Sequence, residues 1–220
     1  MLIAEARWLA DRIDELGNAA FPMLNVGSQT LDFRTRVQPW IDAYLFAPAR
    51  LRRQLVCHAD MQAADGVDFV GDIADESFVA RMQAESFGSV LCCNLLEHVE
   101  DRARVARALT DIVRPEGHLI LSVPHVFPYH PDPIDTMYRP DPEELASLFA
   151  GMLVVQSRIV RAGTLAGYAL RRLLADPAQL AKSLSTRRSK IPATVSKGSS
   201  NTIGWALRPL KVTCLLLRKA

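Results

Sequence analysis

Short apolar runs alternate with helix-like segments through the first 160 residues, and this alternation constrains the fold more than any other feature. Five runs are typical of buried strands: "PMLNVG", "LVCHAD", "VDFVGD", "FGSVLCCNLL" and "HLILSVP". Helical character appears at residues 2–16, 38–54, 97–113 and about 141–150. Apolar strands separated by helices predict an α/β fold, doubly wound around a mostly parallel sheet.

Glycines and polar residues follow the ends of these runs, where open α/β sheets bind their ligands. They lie at 27–30, at Asp60 and Asp72, at 93–98 and at His125. The sequence therefore predicts a ligand site along one edge of the sheet. The "RPEG" turn before the fifth run also predicts a positive φ at Gly117.

The segment from Phe87 to Pro124, "FGSVLCCNLLEHVEDRARVARALTDIVRPEGHLILSVP", has the most specific pattern in the chain. It resembles the region from the fourth to the fifth strand in class I S-adenosylmethionine-dependent methyltransferases of the type 11-like group. The resemblance implies a Rossmann-like sheet of seven strands with an antiparallel last strand. "MLVVQSRIV" and "VTCLLLRK" would be its last two strands. We expect residues 1–220 to form a single methyltransferase-like domain, with a basic insertion at 161–211 between those two strands.

The resemblance also implies that the chain binds S-adenosylmethionine, and it assigns residues to that cofactor. Gly27 would let the backbone approach the methionine part. Asp60 would accept hydrogen bonds from both ribose hydroxyls, and Asp72 would accept one from the adenine amino group. The residues expected near the sulfonium follow the fourth strand: Cys93, Asn94 and Leu95. For Asp60 and Asp72 the alternative is an ordinary cap at the end of a strand.

The loop after the first strand departs from the family's pattern. The family commonly has glycine at two further positions, where this chain has Gln29 and Leu31. Because S-adenosylmethionine has no phosphate, the loop need not form an anion-binding nest. We therefore expect Gly27 alone to suffice, with Asn25 and Gln29 adding polar contacts. The alternative is that the Gln29 side chain displaces the cofactor, leaving a catalytically inactive binding domain.

Candidate catalytic residues lie after the fourth and fifth strands. His98 is a candidate base for a hydroxyl acceptor. Its alternative is simple packing, with Glu97 favouring the first turn of the following helix. His130 and Asp132 lie in a proline-rich stretch that borders the acceptor pocket in the family; here the alternatives are backbone hydrogen bonding and a turn. We expect no metal site, because adjacent acids such as those at 97–101 usually form a solvated helix face.

The charge of the chain is uneven. Residues 161–220 contain 12 Lys and Arg against one acid, although the net charge of the whole chain is only +2. We interpret this region as a peripheral contact with an anionic membrane, through a helix at about 165–174 with one apolar face. Nucleic acid is a less favoured partner, because no aromatic-rich basic stretch is present. The alternative is a solvated insertion that packs on the sheet.

The remaining features favour a cytoplasmic protein, peripheral at the membrane if the basic region docks there. Residues 2–16 carry charges throughout, unlike the apolar part of a signal peptide. No stretch approaches the roughly 18 apolar residues of a spanning helix. The four cysteines lack the spacing of a disulfide framework or a zinc site, which favours free thiols.

The resemblance implies methyl transfer from S-adenosylmethionine to an oxygen or nitrogen of a small polar or lipid-linked acceptor, such as a sugar or glycan precursor. The alternative is the inactive binding domain described above. A nicotinamide-dependent oxidoreductase is disfavoured, because Asp60 follows Gly27 by 33 residues. The dinucleotide-binding fingerprint places its acid about 20 residues on.

Overall fold

The computed structural model describes residues 1–130, 134–164, 166–167 and 202–220, and it contains one seven-stranded sheet. The strands are β1 (Met23–Val26), β2 (Val56–Asp60), β3 (Phe69–Val70), β4 (Phe87–Cys93), β5 (Val113–Val126), β6 (Met152–Thr164) and β7 (Pro209–Lys219). Their order is β3-β2-β1-β4-β5-β7-β6. β1 to β5 pair in parallel, and β7 is antiparallel to β5. The predicted mostly parallel sheet with an antiparallel last strand is confirmed.

The helices of the described residues are α1 (Ile3–Leu16), α2 (Pro39–Ile41), α3 (Ala47–Leu51), α4 (Glu76–Ala84), α5 (Arg102–Ile112), α6 (Pro142–Ser147) and α7 (Thr202–Leu207). Turns of π-helix at Phe33–Val37 and Asp42–Phe46 border α2. The N-cap residues of α4, α5 and α6 are Asp75, Asp101 and Asp141. Each side chain accepts a hydrogen bond from a backbone N–H of the first turn, which favours the start of the helix there. The helix predicted over 97–113 therefore begins at Arg102.

Both faces of the sheet are buried at its central strands β1, β4, β5 and β7. Val90 and Cys92 of β4 belong to the core that contains residues of α4 and α5, whereas Leu91 packs in the core that contains α1. Successive strand residues point to opposite faces, so one apolar run fills both cores. With both faces covered, the carboxyl ends of the parallel strands are the place left for a ligand.

The "RPEG" segment forms an irregularity at the start of β5, opposite Gly88. The positive φ of 61° belongs to Glu116, so our prediction for Gly117 is wrong. A Cβ at Gly117 would lie 2.9 Å from the carbonyl oxygens of Arg114 and Gly88. Glycine is therefore required there by close packing, and not by the sign of φ.

The chain divides into two compact units: Met1–Val160 with Lys211–Ala220, and Arg161–Leu210. The first unit contains the sheet edge where the site was predicted. Most of the predicted insertion at 161–211, including its helix at about 165–174, lies outside the described residues. No helix in the described ranges is long and apolar enough to cross a membrane.

Candidate functional site

The loop after β1 turns back towards β2 with two left-handed residues. Gly27 has a φ of 67° and Gln29 a φ of 58°, so glutamine adopts a conformation that usually favours glycine. The Gln29 N–H donates to Asp60 Oδ2 at 2.9 Å, and the Ser28 N–H donates to the Ala59 carbonyl at 3.0 Å. The chain thus forms the turn without the extra glycine, at a cost of about 1–2 kcal/mol in backbone strain.

A buried arginine holds this loop in place. The Nη1 of Arg34 donates to the carbonyls of Ser28 at 2.9 Å and Gln29 at 2.6 Å, and its Nη2 donates to the Gly66 carbonyl at 2.8 Å. Arg34 is only 2% exposed. Burial lowers the pKa of this guanidinium, although nearby aspartates oppose the shift. Sequence reasoning missed Arg34, because backbone carbonyls leave no residue pattern.

Asp60 and Asp72 lie after β2 and β3, as predicted. Asp60 accepts from the Gln29 N–H through Oδ2 and from the Gln62 N–H at 3.2 Å through Oδ1. A carboxylate accepts about four hydrogen bonds, so these contacts leave capacity for ribose hydroxyls. The exposed Asp72 accepts from the Ala74 N–H at 2.8 Å. Both carboxylates therefore cap backbone groups, and their contacts with a cofactor remain predictions.

Asn25 lies on β1 beside His58 of β2. The Asn25 amide donates to His58 Nδ1 at 3.1 Å, which requires a neutral imidazole. Burial is the main cause that lowers the pKa of His58 to about 4. Asn25 is buried, so its described role is to join the two strands. Its predicted contact with the cofactor remains a prediction.

The end of β4 is tied to the N-terminal helix through Glu5, which is fully buried. Glu5 Oε1 accepts from the Asn94 side-chain amide at 2.7 Å and from Ser122 Oγ at 2.6 Å. Asn94 has a φ of 52°, and its N–H donates to the Ser122 carbonyl at 2.8 Å. The available signal for Glu5, which we missed, is an acid at helical spacing between Leu2 and Leu9.

Leu95 brings the ends of β4 and β1 together. A Cβ placed on Gly27 would lie 3.3 Å from Leu95 Cδ1, which is a tight contact. Glycine therefore keeps open the space between Gly27 and Leu95, which we call the Gly27–Leu95 gap. Burial raises the pKa of the neighbouring Cys93 thiol, and a protonated thiol is a poor nucleophile. Gly27 has no side chain to block the methionine part of S-adenosylmethionine, and the Asp60 carboxylate can accept from its ribose hydroxyls. Both residues therefore fit this cofactor at the sheet edge.

A second polar group follows β4 and β5: Glu97, His98 and His130, which we call the His–Glu–His cluster. Nε2 of His98 lies 3.7 Å from Glu97 Oε1, and Nε2 of His130 lies 4.0 Å from the same oxygen. The two imidazoles meet edge to face, with ring centroids 5.3 Å apart. The structure thus brings together two predicted catalytic residues from different loops. The third, Asp132, lies outside the described residues.

Glu97 differs from its predicted environment. It lies in the 3₁₀ turn Leu96–His98, before α5, so our interpretation of Glu97 as a residue of the first helical turn or of a solvated face is wrong. Its side chain is fully buried, and neither carboxylate oxygen has a hydrogen-bond partner among the described residues. Burial raises the pKa of Glu97 to about 8, because it penalises the charged form.

Asp135 and Arg139 hold the proline-rich stretch beside this cluster. Nη1 and Nη2 of Arg139 donate to the Asp135 carboxylate at 3.1 and 2.6 Å. The N–H groups of His130 and Met137 donate to it at 2.9 and 2.8 Å. Burial opposes ionisation of Asp135, but these hydrogen bonds outweigh it and hold the pKa of the carboxyl well below its usual value. Asp135 therefore fixes the position of His130.

The sheet, which is mostly parallel with an antiparallel β7, has the Rossmann-like methyltransferase fold. Residues 50–121 match a family model described as a methyltransferase domain. The match spans β2 to most of β5, so it includes Asp60, Asp72 and His98 but not the loop after β1.

Known methyltransferases resemble this chain over part of the sequence or in fold. The ubiquinone biosynthesis O-methyltransferase of Ralstonia nicotianae is 42% identical over 65 residues, which is 30% of this chain and 26% of that protein. The aligned part thus spans about a quarter of that relative. A putative sarcosine dimethylglycine methyltransferase from Galdieria sulphuraria superposes with a TM-score of 0.57 at 12% identity, covering 98% of this chain and 84% of that one.

Coclaurine N-methyltransferase bound to N-methylheliamine and SAH gives a TM-score of 0.54 at 14% identity, over 96% of this chain and 70% of that one. At such identities the structural likeness concerns the fold alone. Together with the family match over residues 50–121, it confirms the resemblance to class I S-adenosylmethionine-dependent methyltransferases that the sequence predicted.

Proposed function

We propose that the protein transfers a methyl group from S-adenosylmethionine to an oxygen of a small polar acceptor. The observation that carries this proposal is the donor half of the sheet edge, where the Gly27–Leu95 gap lies at the ends of β1 and β4 and the Asp60 carboxylate ends β2. When bound there, the cofactor supplies an electrophilic methyl group, and the protein supplies orientation and exclusion of water.

Each donor-side residue has a defined task in this proposal. Asp60 accepts from the ribose hydroxyls and Asp72 from the adenine amino group, while Arg34 keeps the loop carbonyls fixed. The residues that line the methyl-donating side are Cys93, Asn94 and Leu95. Holding an acceptor in line with the methyl group lowers the barrier by about 7–11 kcal/mol through proximity.

The acceptor side of the proposal is the His–Glu–His cluster. His98 Nδ1 hydrogen-bonds the Ile134 carbonyl, so the proton of the neutral ring resides on Nδ1 and Nε2 can accept one. We assign Nε2 of His98 to take the proton of an acceptor hydroxyl, with His130 beside it. Asp132 keeps its predicted role as an alternative base. General-base help of this kind contributes about 10²–10⁴-fold.

The loop after β1 favours an active enzyme over an inactive binding domain. The hypothesis of an inactive binding domain rests on Gln29, which stands where the family commonly has glycine. That residue nevertheless adopts the left-handed conformation, and its N–H reaches Asp60. The turn therefore forms with Gln29 in this position, and its exposed side chain is available to contact the cofactor.

The acceptor class is argued from the relative and from the cluster. The matched relative is named an O-methyltransferase, and a histidine base suits a hydroxyl more than an amine that is already nucleophilic. Sugars, glycan precursors and lipid-linked hydroxyl compounds remain the proposed candidates.

Calorimetry and transfer of labelled methyl groups test this proposal together. We expect S-adenosylmethionine and S-adenosylhomocysteine to bind with one site per chain. We expect label to pass to phenolic or sugar hydroxyls, and not to amines of matched size. Cofactor binding without transfer to any hydroxyl class would favour the inactive binding domain. Absence of binding by either compound would contradict both functions.

Vesicle co-sedimentation tests the membrane contact separately. The full chain should sediment with anionic vesicles at low salt and dissociate as salt rises, because the attraction is electrostatic. Neutral vesicles are the matched control, and competing RNA tests the less favoured partner. Equal sedimentation with neutral and anionic vesicles would contradict the charge-based interpretation.

A further inference from the structure

Three atoms without a hydrogen to donate converge in the His–Glu–His cluster: Nε2 of His98, Nε2 of His130 and Oε1 of Glu97. The partners of the two Nδ1 atoms show why. Nδ1 of His98 hydrogen-bonds the Ile134 carbonyl. Nδ1 of His130 lies 3.2 Å from the Pro128 carbonyl oxygen and 3.2 Å from Asp135 Oδ2. Carbonyl and carboxylate oxygens only accept, so each Nδ1 must carry the proton, and each neutral ring presents an unprotonated Nε2.

Both Nε2 atoms then face a carboxylate that also lacks a donor. Glu97 Oε1 lies 3.7 Å from one and 4.0 Å from the other, and its side chain is fully buried. Buried polar groups are normally satisfied, and an unpaired buried carboxylate is costly. One proton would serve only a single pair of these atoms. A divalent cation would satisfy all three.

We infer that Glu97, His98 and His130 form a binding site for a divalent transition-metal ion. Two imidazoles and one carboxylate are a donor set that suits Zn²⁺. The three ligand atoms all lie within 4.8 Å of one another. Bonds of about 2.1 Å in a tetrahedron separate ligand atoms by about 3.4 Å. The two contacts with Glu97 therefore need to shorten by about 0.3 and 0.6 Å, and the separation of the two imidazole nitrogens by up to about 1.4 Å.

The surroundings of the cluster match those of metal-bound histidines. Such residues donate their second ring N–H to a carbonyl or a carboxylate, which fixes the tautomer and the ring orientation. His98 does so to Ile134, and His130 does so to Pro128 and Asp135. Asp135 is in turn fixed by Arg139. Our expectation of no metal site assumed a solvated Glu97, and the burial of Glu97 removes that reason.

Three protein ligands leave a coordination position for water or for an acceptor oxygen. A hydroxyl bound to the ion loses its proton to water more readily, and His98 then acts as a ligand instead of a base. This catalytic consequence rests on the proposed function, whereas binding of the ion does not. The test can therefore be carried out without S-adenosylmethionine.

Calorimetric titration of the chelator-treated full chain with Zn²⁺ measures the affinity and the stoichiometry of the site directly. We expect one ion per chain, and Co²⁺ in its place should give visible absorption bands. Glu97→Gln, His98→Asn and His130→Asn should each weaken Zn²⁺ binding about 100-fold or more. The matched controls Glu100→Gln and His125→Asn, outside the cluster, should bind as the parent does.

X-ray absorption at the zinc edge of the parent chain identifies the ligands without relying on variants. Two imidazoles and one carboxylate support the site, whereas cysteine sulfur would overturn it. The inference is also overturned if the parent binds no stoichiometric Zn²⁺ and shows no Co²⁺ bands. Circular dichroism of each variant separates loss of the ion from loss of the fold. Unchanged affinity in folded cluster variants would equally refute the assignment.

Discussion

The two halves of the sheet edge differ in how their polar groups are satisfied. In the loop after β1, Arg34 bonds three backbone carbonyls and Asp60 bonds two backbone N–H groups. In the His–Glu–His cluster, a fully buried carboxylate has no hydrogen-bond partner within the described part of the chain. The first half is built by the chain itself, and the second needs a proton, a cation or a substrate to complete it.

Replacement of Arg34 tests whether the donor loop is built by the chain, and we expect the largest effect on stability here. Arg34→Ala removes three hydrogen bonds from a cation and leaves one buried and two partly buried carbonyls without this donor, so it should cost about 3–5 kcal/mol in the free energy of unfolding. Urea denaturation measures this cost. The control Arg36→Ala removes an exposed ion pair with Asp32 and should cost less than about 1 kcal/mol. Similar losses in both variants would contradict the structural role of Arg34.

Replacement of His98 tests the acceptor half. His98→Gln should lower turnover about 100-fold, with unchanged affinity for S-adenosylmethionine. The reason is that His98 acts on the acceptor side, as base or as metal ligand, while the donor loop is untouched. His125→Gln is the control, since this histidine bonds the Pro140 carbonyl outside the cluster. Unchanged turnover, or a loss of cofactor affinity equal to the loss of turnover, would contradict the assignment of His98 to the acceptor side.

The sheet and most donor-side positions could be predicted from the sequence, because they depend on local patterns. Apolar runs gave the strands, and Asp60 and Asp72 follow strand ends directly. Arg34 could not be found, since its partners are backbone carbonyls that a folded loop brings near. The environment of Glu97 was mistaken because α5 starts at Arg102, five residues later than its helical periodicity suggested.

The cluster itself needed the tertiary structure. His98 and His130 are separated by 32 residues, and only the packing of the loops after β4 and β5 makes them neighbours. Each could be proposed singly as a candidate. Their convergence on Glu97, and the tautomers that their other partners impose, have no counterpart in the local sequence.

Titration of His58 sharpens the comparison from the donor side, with a smaller expected effect. The imidazole is neutral in the folded state, with a pKa lowered to about 4, whereas the unfolded chain binds its proton near 6.5. Stability should therefore be intact above pH 6.5 and fall by about 2–3 kcal/mol as pH drops towards 4. Urea unfolding of the parent and His58→Gln over this range measures the difference. A parallel pH dependence in both proteins would contradict the assignment.

Substitutions in the loop after β1 give the smallest effect. Gln29→Gly relieves left-handed strain but frees the unfolded chain, so we expect a net change below about 1 kcal/mol. Gly27→Ala should instead destabilise by about 1–2 kcal/mol, because it adds strain and a Cβ against Leu95. Thermal unfolding compares the two variants. A large loss in Gln29→Gly would show that its side chain, and not its backbone, holds the loop.

The proposed donor site depends most directly on cofactor binding at Asp60. Calorimetry with S-adenosylhomocysteine should show that the parent binds and that Asp60→Ala loses about 1.5–3 kcal/mol, or roughly 10–150-fold in affinity. Asp60→Asn retains one accepting oxygen and separates the charge from the loop contacts. The control Asp65→Ala removes an exposed carboxylate five residues on and should bind as the parent does. Equal affinity in Asp60→Ala and the parent, or no binding by the parent, would contradict the proposed donor site.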